Sequence, residues 1–434
     1  MSPAAEPSKK EICRTSDQIL CAYFQIPFCR RICGFCCWCR DYDPADILSI
    51  NKNRAPYVKA LKQEIRERSQ VLPEKERVGL KVVHFGGGTP SLLSAGELSG
   101  ILGTLAECYG QPLDQIPTIG IEVRPDGLSP GYLRDLRAVG FNRVSIGAQS
   151  FDQGILDRIQ RNATVADFFS AYGRARTAGF EDVNIDLVYG FPFQSEKQVD
   201  EDIRIAMDLA PEHLDIHPWR PVAGPVAKAG TGDFATERAR KIRATARIRD
   251  ALAARGWDNY NHRCYARPGR ENMMHLVEAT YLLPWLAFGA GVEQYRAPKN
   301  ESNLARYMEN PFTMKEEWVW PVRQHGFDLM FAIQSMIRLL LLPEGIDVPF
   351  FNRHNQCDLY SLLDHFREKE NMDKARSRFP NLVVNMFEIG RLQILGKIIR
   401  WLDSGILRRE GDRLAIAEEH RLSTETWVLF MEAC

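Results

Sequence analysis

A chain of 434 residues with 45% hydrophobic content holds enough apolar side chains for two or three packed domains. Lys+Arg and Asp+Glu both number 56, so the formal charge is zero and nothing in the bulk composition draws the chain to nucleic acid or to an anionic membrane surface. Its 11 cysteines are too sparse, and odd in number, for a disulfide scaffold, and no apolar stretch approaches the roughly 18–20 residues that span a bilayer; the expectation is a reducing, cytoplasmic setting.

The polar opening, 1–20, reads as a flexible segment. From Cys21 onward, short runs rich in Val, Ile and Phe alternate with amphipathic stretches. The strand candidates are Cys21–Ile26, Lys81–Phe85, Thr118–Val123, Arg143–Gly147, Val183–Val188 and Leu214–His217. They read as buried parallel strands. The helix candidates between them are Ala55–Ser69, Ala95–Tyr109, Gly131–Val139, Val165–Ala178 and Glu196–Leu209. Six repeats of strand and helix predict a parallel α/β barrel or open sheet over 21–220, with ligands at the carboxyl ends of the strands. The pattern loosens over 221–310, where Thr236–Arg255 is the long helix candidate. The remainder, 311–434, reads as mostly helical, strongest at Ala332–Leu342 and Met386–Leu402. It ends in two short apolar runs, Gly405–Leu407 and Arg413–Ile416, which predict a helix followed by a hairpin, a winged-helix-like cap.

Cys29, Cys33 and Cys36 stand at spacing C-x3-C-x2-C just after Tyr23-Phe24-Gln25-Ile26-Pro27-Phe28. Three thiolates on a tight loop hold three corners of a 4Fe–4S cluster and leave the fourth iron open to a small molecule. A structural zinc site usually pairs two cysteine knuckles, and Cys13, Cys108, Cys264, Cys357 and Cys434 form no second one. Cys37 and Cys39 are either alternative ligands, groups acting on substrate, or passive thiols of the same loop.

Further chemistry-bearing residues fall at strand ends. Gly86-Gly87-Gly88-Thr89-Pro90-Ser91 lets a ligand approach the backbone, but lacks the Gly-Lys-Ser/Thr of a P-loop. Glu122 inside an apolar strand needs a partner, either a ligand ammonium or a core arginine. Gln149, Arg161 and Asp186 together suit a ligand that carries both a ribose and a carboxylate. Trp219, Trp257 and Trp285 are either core or the walls of a flat pocket for an aromatic or unsaturated small molecule.

Four segments carry a resemblance: Tyr-x-Gln-Ile-Pro-Phe-Cys-x3-Cys-x2-Cys, Gly86–Ser91, Asn142–Phe151 and Asn184–Pro192. Together they resemble the radical S-adenosylmethionine (SAM) enzymes of the HemN-like group. That group includes oxygen-independent coproporphyrinogen III oxidase, a haem chaperone, haem-degrading enzymes and class C methyltransferases. The likeness runs from Tyr23 to Tyr295, and more loosely through Leu402–Leu407 and Gly411–Leu414. It implies a partial (β/α)6 TIM-like barrel with a mostly helical, winged-helix-like C-terminal domain. It also implies a 4Fe–4S cluster on Cys29, Cys33 and Cys36. SAM would be held by Tyr23, Gly87, Gly88, Thr89, Glu122, Gln149, Arg161 and Asp186 and cleaved to a 5′-deoxyadenosyl radical. Gly289, Ala290 and Gly291 match the stretch that closes over a second SAM. The electron would come from a donor such as flavodoxin or ferredoxin.

Within the group, three departures narrow the reading. Gln25 stands where the family often has His, Trp38 stands where the oxidase usually places a further Cys, and Ala266-Arg267-Pro268-Gly269 is not followed by the chaperone's His-Asn-x2-Tyr-Trp. Met273, Met274 and His275 read as core or helix surface rather than as haem ligands. The reaction then expected is methyl or methylene transfer to an sp2 carbon (C-methylation or cyclopropanation) in natural-product assembly, with a partner methyltransferase among the candidate partners. Tyr260, His262, Cys264, Tyr265 and Glu293 are the candidates for its proton transfers. A tetrapyrrole enzyme and a haem carrier are the alternatives.

Overall fold

The computed structural model describes residues 9, 12–13, 16, 18–36, 42–71, 78–220, 226, 234–280, 285–292, 303–311, 336–337, 339–340, 345–355, 357–365 and 386–417. The chain divides into two compact units. The first is Met1–Asn259, Arg263–Val277 and Leu283–Val319, and the second is Tyr260–His262, Glu278–Leu282 and Trp320–Cys434.

The first unit is built on β1 (Ile19–Ile26), β2 (Val78–Gly87), β3 (Thr118–Val123), β4 (Arg143–Gln149), β5 (Asp182–Tyr189) and β6 (His213–Pro218). All pair in parallel with their neighbours in sequence. Three short strands extend the sheet: β7 (Asp258–Asn259), β8 (Cys264–Ala266) and β9 (Leu286–Phe288). The order is β7-β8-β6-β5-β4-β3-β2-β1-β9. β9 joins β1 in parallel, while β8 runs antiparallel to both β6 and β7. The helices are α1 (Pro44–Leu48), α2 (Ile50–Val71), α3 (Ala95–Tyr109), α4 (Tyr132–Val139), α5 (Gln153–Arg158), α6 (Val165–Thr177), α7 (Glu196–Asp208), α8 (Phe234–Ala253), α9 (Met273–Thr280) and α10 (Leu304–Glu309). This is the (β/α)6 arrangement that the alternation predicts.

Helix starts are set locally. Ser94 with Glu97, Thr164 with Asp167 and Ser195 with Gln198 each form a reciprocal capping box at the N-terminus of α3, α6 and α7. Each satisfies two backbone or side-chain donors that would otherwise face only water. The stop after α4 is Gly140, whose φ of 112° suits glycine and whose amide closes onto Leu136 and Arg137 carbonyls.

The parallel strands are not apolar on both faces, as the sequence reading has them. Phe24, Phe85, Ile121, Val144, Ile146, Ile185 and Leu214 join the helices in one buried apolar cluster. Phe24 lies 4.7 Å from Phe85 and 5.1 Å from Phe288, ring to ring. Many residues between them along the strands are polar, and Ser145, Asn184, Asp186, His213 and Asp215 bond to one another across the other face. In register, Glu122 sits beside Ser145, Ser145 beside Asn184, and Asn184 beside His213. One step toward the carboxyl ends, Gly147, Asp186, Asp215 and Cys264 form the next row. The period of two thus separates a greasy outer face from a polar lumen.

Ile19 and Leu20 are buried in β1, so the opening segment ends before them rather than at residue 20. Of its earlier part, Lys9 donates to the Glu271 carbonyl at 2.7 Å and the Cys13 thiol lies 3.1 Å from Met273 Sδ. In the second unit, α11 (Val348–Asn355), α12 (Leu359–His365) and α13 (Met386–Ser404) accompany β10 (Ile346–Asp347), β11 (Leu407–Glu410) and β12 (Arg413–Ile416). Gly405, at φ 79°, follows α13, and β11 and β12 form the expected antiparallel hairpin. β10 adds a third strand that two residues of sequence do not announce. Of the expected helix Ala332–Leu342, helical residues are described at 336–337 and 339–340; the rest lies outside the described residues.

Candidate functional site

The cysteine loop leaves β1 at its carboxyl end and is held by two contacts to other elements and one bond within itself. The Cys29 amide donates to the Ile47 carbonyl at 3.2 Å, Gly34 to Ile159 at 2.9 Å, and Cys36 to Cys33 at 3.1 Å. The triple-glycine loop of β2 lies directly against it. The Gly88 amide donates to the Ile26 carbonyl at 2.8 Å, and a Cβ on Gly88 would stand 2.7 Å from the Phe28 carbonyl oxygen. Glycine is therefore required there by backbone approach.

Cys29 and Cys33 are only 6% and 7% exposed, and Cys36 is half-buried. The sulfurs are met by donors. Thr89 Oγ1 reaches Cys29 Sγ at 3.6 Å; Arg124 Nη1 and Arg161 Nη1 reach Cys33 Sγ at 3.7 and 3.8 Å. Arg124 is held in place by Asp126 through contacts of 2.9 and 3.2 Å. Arg161 donates to the Gly147 carbonyl at 2.6 Å, and burial pushes its guanidinium below the usual range. Hydroxyl and guanidinium donors around buried thiols suit thiolates that bind metal. The residues present fit three-cysteine ligation of an iron–sulfur cluster. Cys37, Trp38 and Cys39 lie outside the described residues.

The candidate SAM residues converge on the same end of the sheet. The Glu122 carboxylate accepts from the Gly87 amide at 3.2 Å and stands 3.2 Å from His84 Nε2, not from a core arginine. Tyr23 donates to Gln25 Oε1 at 3.0 Å and stacks between His84 and Trp285, at 6.1 and 6.2 Å. Gln149 adopts φ 70° at a bulge in the β4–β5 pairing. A Cβ on Gly147 would meet Gln149 Nε2 at 2.7 Å and Arg161 Nη2 at 2.9 Å. A non-glycine residue held in the left-handed region at a strand end is strained, and such strain gathers at functional sites. Asp186 accepts from Ser145 Oγ at 2.8 Å and Asn184 Nδ2 at 2.6 Å. Burial first, then the neighbouring Asp215 and Glu122 carboxylates, push its acid up to about 7.

Gly289, Ala290 and Gly291 follow β9 and sit beside β1. The Gly289 amide donates to Glu64 at 2.8 Å and the Ala290 amide to Tyr57 at 3.1 Å, while Tyr42 donates to the Ala290 carbonyl at 2.7 Å. A Cβ on Gly289 would stand 2.6 Å from the Gln25 carbonyl, and one on Gly291 2.7 Å from the Tyr42 hydroxyl. Both glycines are accounted for by protein packing. Gln25 donates to Tyr42 at 3.2 Å, an amide contact at the position where the family often has an imidazole.

Of the acid–base candidates, four lie among the described residues. Tyr260 and His262 belong to the second unit, and Glu293 lies outside the described residues. Cys264 and Tyr265 lie in β8, and burial pushes the Cys264 thiol up to about 12. Trp257 is in the main apolar core and Trp219 in a smaller cluster with Phe191 and Val226; Trp285, against Tyr23, is the tryptophan of the three placed beside a SAM candidate. The sequence reading missed Arg124, His84, Ser145, Asn184, His213 and Asp215. Alternation was the available signal, as in Asn184-Ile185-Asp186 and His213-Leu214-Asp215.

Residues 23–206 match the radical SAM superfamily. The chain is 33% identical over 196 residues to the heme chaperone HemW of Bacillus subtilis, covering 45% of this chain and 49% of that one. It is 28% identical over 292 residues to HemW of Lactococcus lactis, covering 65% and 71%. It is 32% identical over 206 residues to the oxygen-independent coproporphyrinogen III oxidase of Salmonella typhimurium, covering 47% and 43%. The match thus spans about half the length of the first of these relatives and less than half of the oxidase. In fold, the chain is similar to coproporphyrinogen III oxidase (HemN) from Escherichia coli, with a TM-score of 0.67 at 19% identity over 96% of this chain and 91% of that one. No helix among the described residues is long and apolar enough to cross a membrane. Residues 23–206 form a domain of the radical SAM superfamily, with HemN- and HemW-type homologues.

Proposed function

We propose that this chain is a SAM-cleaving enzyme that transfers a methyl or methylene group from a second SAM to an sp2 carbon of an unsaturated small molecule. The observation that carries SAM cleavage is the convergence of Cys29, Cys33, Thr89, Arg124 and Arg161 beside Glu122, Gln149 and Asp186 at one end of the parallel sheet. When bound, the cluster supplies the electron that breaks the sulfonium bond of SAM. Arg161, fixed to the Gly147 carbonyl, sets the position of a ligand carboxylate. Asp186, with its acid near 7, is suited to accept from or donate to ribose hydroxyls. Gly86 and Gly88 keep the loop beside the cysteines free of side chains.

The choice of methyl transfer rests on departures from the tetrapyrrole members: Trp38 in place of a further Cys two residues after Cys36 in the sequence, and no His-Asn-x2-Tyr-Trp after Gly269. One structural observation agrees. Met273, Met274 and His275 are buried, and His275 Nε2 faces Asp215 at 3.2 Å, so these residues do not present haem ligands to solvent. The names of the homologues favour a second reading, an oxidative or haem-directed tetrapyrrole enzyme. Anaerobic turnover with SAM and a strong reductant separates them. 5′-Deoxyadenosine together with S-adenosylhomocysteine supports methyl transfer. 5′-Deoxyadenosine alone, with porphyrin consumption, supports the second reading, and no 5′-deoxyadenosine under either condition contradicts both.

A further inference from the structure

The polar lumen holds a second set of ligand-type side chains that the cysteine loop does not use. His213 and Asp215 stand two apart on β6, and His275 comes from α9. One donor atom of each lies within 4.8 Å of the other two, and all three residues are buried. Asp215 Oδ2 is 3.2 Å from His275 Nε2, and Asp215 Oδ1 is 3.7 Å from His213 Nδ1. Bonds of about 2.0–2.2 Å to a tetrahedral zinc ion put neighbouring ligand atoms roughly 3.3–3.6 Å apart. One pair near that spacing runs through each carboxylate oxygen, so an ion would be shared by the two oxygens of Asp215 between the imidazoles.

A fourth donor is at hand. Cys264 faces Asp215 in the antiparallel β6–β8 register, is fully buried, and shares a hydrogen bond with His275. The carboxylate itself is incompletely satisfied. Asp215 is 5% exposed, and its Oδ1 has no hydrogen-bond partner among the described residues. A buried carboxylate oxygen left in this state calls for an ion or another donor. Carboxylates gather here, since Asp186 is the register neighbour of Asp215 and Glu122 lies in the same lumen. Asn184 completes the frame. It donates to Asp215 Oδ2 at 3.1 Å, the kind of outer support that orients a metal ligand, and its Oδ1 meets His213 Nδ1 at 2.8 Å. On metallation, the His213 nitrogen would pass from Asn184 to the ion, while the Asn184 amide stays anchored by Ser145 and Asp186.

We propose that His213, Asp215, His275 and Cys264 form a buried divalent-cation site of zinc type, separate from the cysteine loop, that ties α9 to β6. Two imidazoles, a carboxylate and a thiol select a borderline ion over magnesium or calcium, which take oxygen ligands.

The test uses the full chain with Cys29, Cys33, Cys36, Cys37 and Cys39 all replaced by Ala, so that the cluster loop cannot take up the probe. Zn2+ uptake is measured by elemental analysis after dialysis, and Co2+ uptake by its visible absorption. The expected result is one equivalent of Zn2+ per chain. Co2+ should show four-coordinate bands and a thiolate charge-transfer band that Cys264→Ser removes, and the ion should raise the melting temperature. Asp215→Asn and His275→Gln on this background should lower Zn2+ affinity at least 10-fold. Absence of stoichiometric uptake in the parent, or affinity unchanged in folded Asp215→Asn and His275→Gln proteins, would overturn the assignment.

Discussion

Arg161 spans from the Gly147 carbonyl, 2.6 Å from its Nη2, to Cys33 Sγ, 3.8 Å from its Nη1. One guanidinium thus ties the end of β4 to the middle cysteine of the loop, and it can do so because its donors are splayed in a rigid fork. Arg124 approaches the same sulfur from the β3 side at 3.7 Å. Positive charge beside the sulfur favours the reduced form of a bound cluster. Arg161→Gln should move the cluster midpoint potential negative by on the order of 60 mV, equivalent to about a tenfold change in a one-electron equilibrium. Arg161→Lys should keep the potential nearer wild type yet weaken SAM binding roughly 10-fold or more, because the fork is lost. Redox titration followed by electron paramagnetic resonance, with SAM binding measured in parallel, reads both effects.

Gly88→Ala should prevent assembly of the cluster without unfolding the chain. Its Cβ would stand 2.7 Å from the Phe28 carbonyl oxygen and 2.8 Å from the Pro27 carbonyl carbon, both backbone atoms that move only if the cysteine loop moves. The expected loss is most of the iron and sulfide per chain, at a stability cost of about 1–3 kcal/mol. Gly96→Ala, at a position where nothing lies within 4 Å, is the control that should retain iron and sulfide.

Glu64→Ala should be among the most destabilising single changes in the first unit. The buried Glu64 carboxylate accepts from the Gly289 amide and the Tyr307 hydroxyl, and it pairs with Arg68 at 3.3 Å. Arg68 in turn donates to the Ala287 carbonyl and lies over the Phe288 ring. Removing the carboxylate leaves a buried cation short of its counter-charge, a change that costs about 3–5 kcal/mol. Urea unfolding of Glu64→Ala against wild type measures it. A cost below about 1 kcal/mol would show that the network does not hold Gly289–Gly291 in place.

Asp202 gives a pH signature. Its carboxylate, buried beneath the loop after β4, accepts from the Phe151 amide at 2.6 Å and from Ser150 Oγ at 2.9 Å, and burial pushes its acid up to about 7. An acid raised in the folded state is protonated in both states below about pH 4 and ionised in both above about pH 7. Between these values the unfolded chain releases its proton first, so this group's contribution to stability falls as pH rises, by at most about 4 kcal/mol. Asp202→Asn lacks that titration. The stability of Asp202→Asn relative to wild type should therefore rise between pH 4.5 and pH 7.5, as measured by chemical denaturation; a flat difference would contradict the shift.

Much of this is legible in the sequence because it is local. The spacing of Cys29, Cys33 and Cys36 and the six strand cores are read from neighbouring residues alone, and Thr118–Val123 and Ala95–Tyr109 are found at the expected bounds. β7, β8 and β9 are not legible, since each is two or three residues long and held by pairing with a distant strand. The polar lumen was hidden differently. Asn184, His213 and Asp215 sit in strands apolar enough to read as wholly buried, and only register shows that they meet. Arg124 gives no sequence signal as a neighbour of Cys33, because its approach depends on the fold of β3 and on Asp126.

The most direct test of the cluster site is iron and sulfide analysis of anaerobically reconstituted protein, with electron paramagnetic resonance of the reduced form before and after SAM. The expected result is about four iron and four sulfide per chain, a reduced-cluster signal that changes on SAM addition, and loss of both in Cys33→Ala. A wild-type protein without stoichiometric iron and sulfide, or with a signal indifferent to SAM, would contradict it.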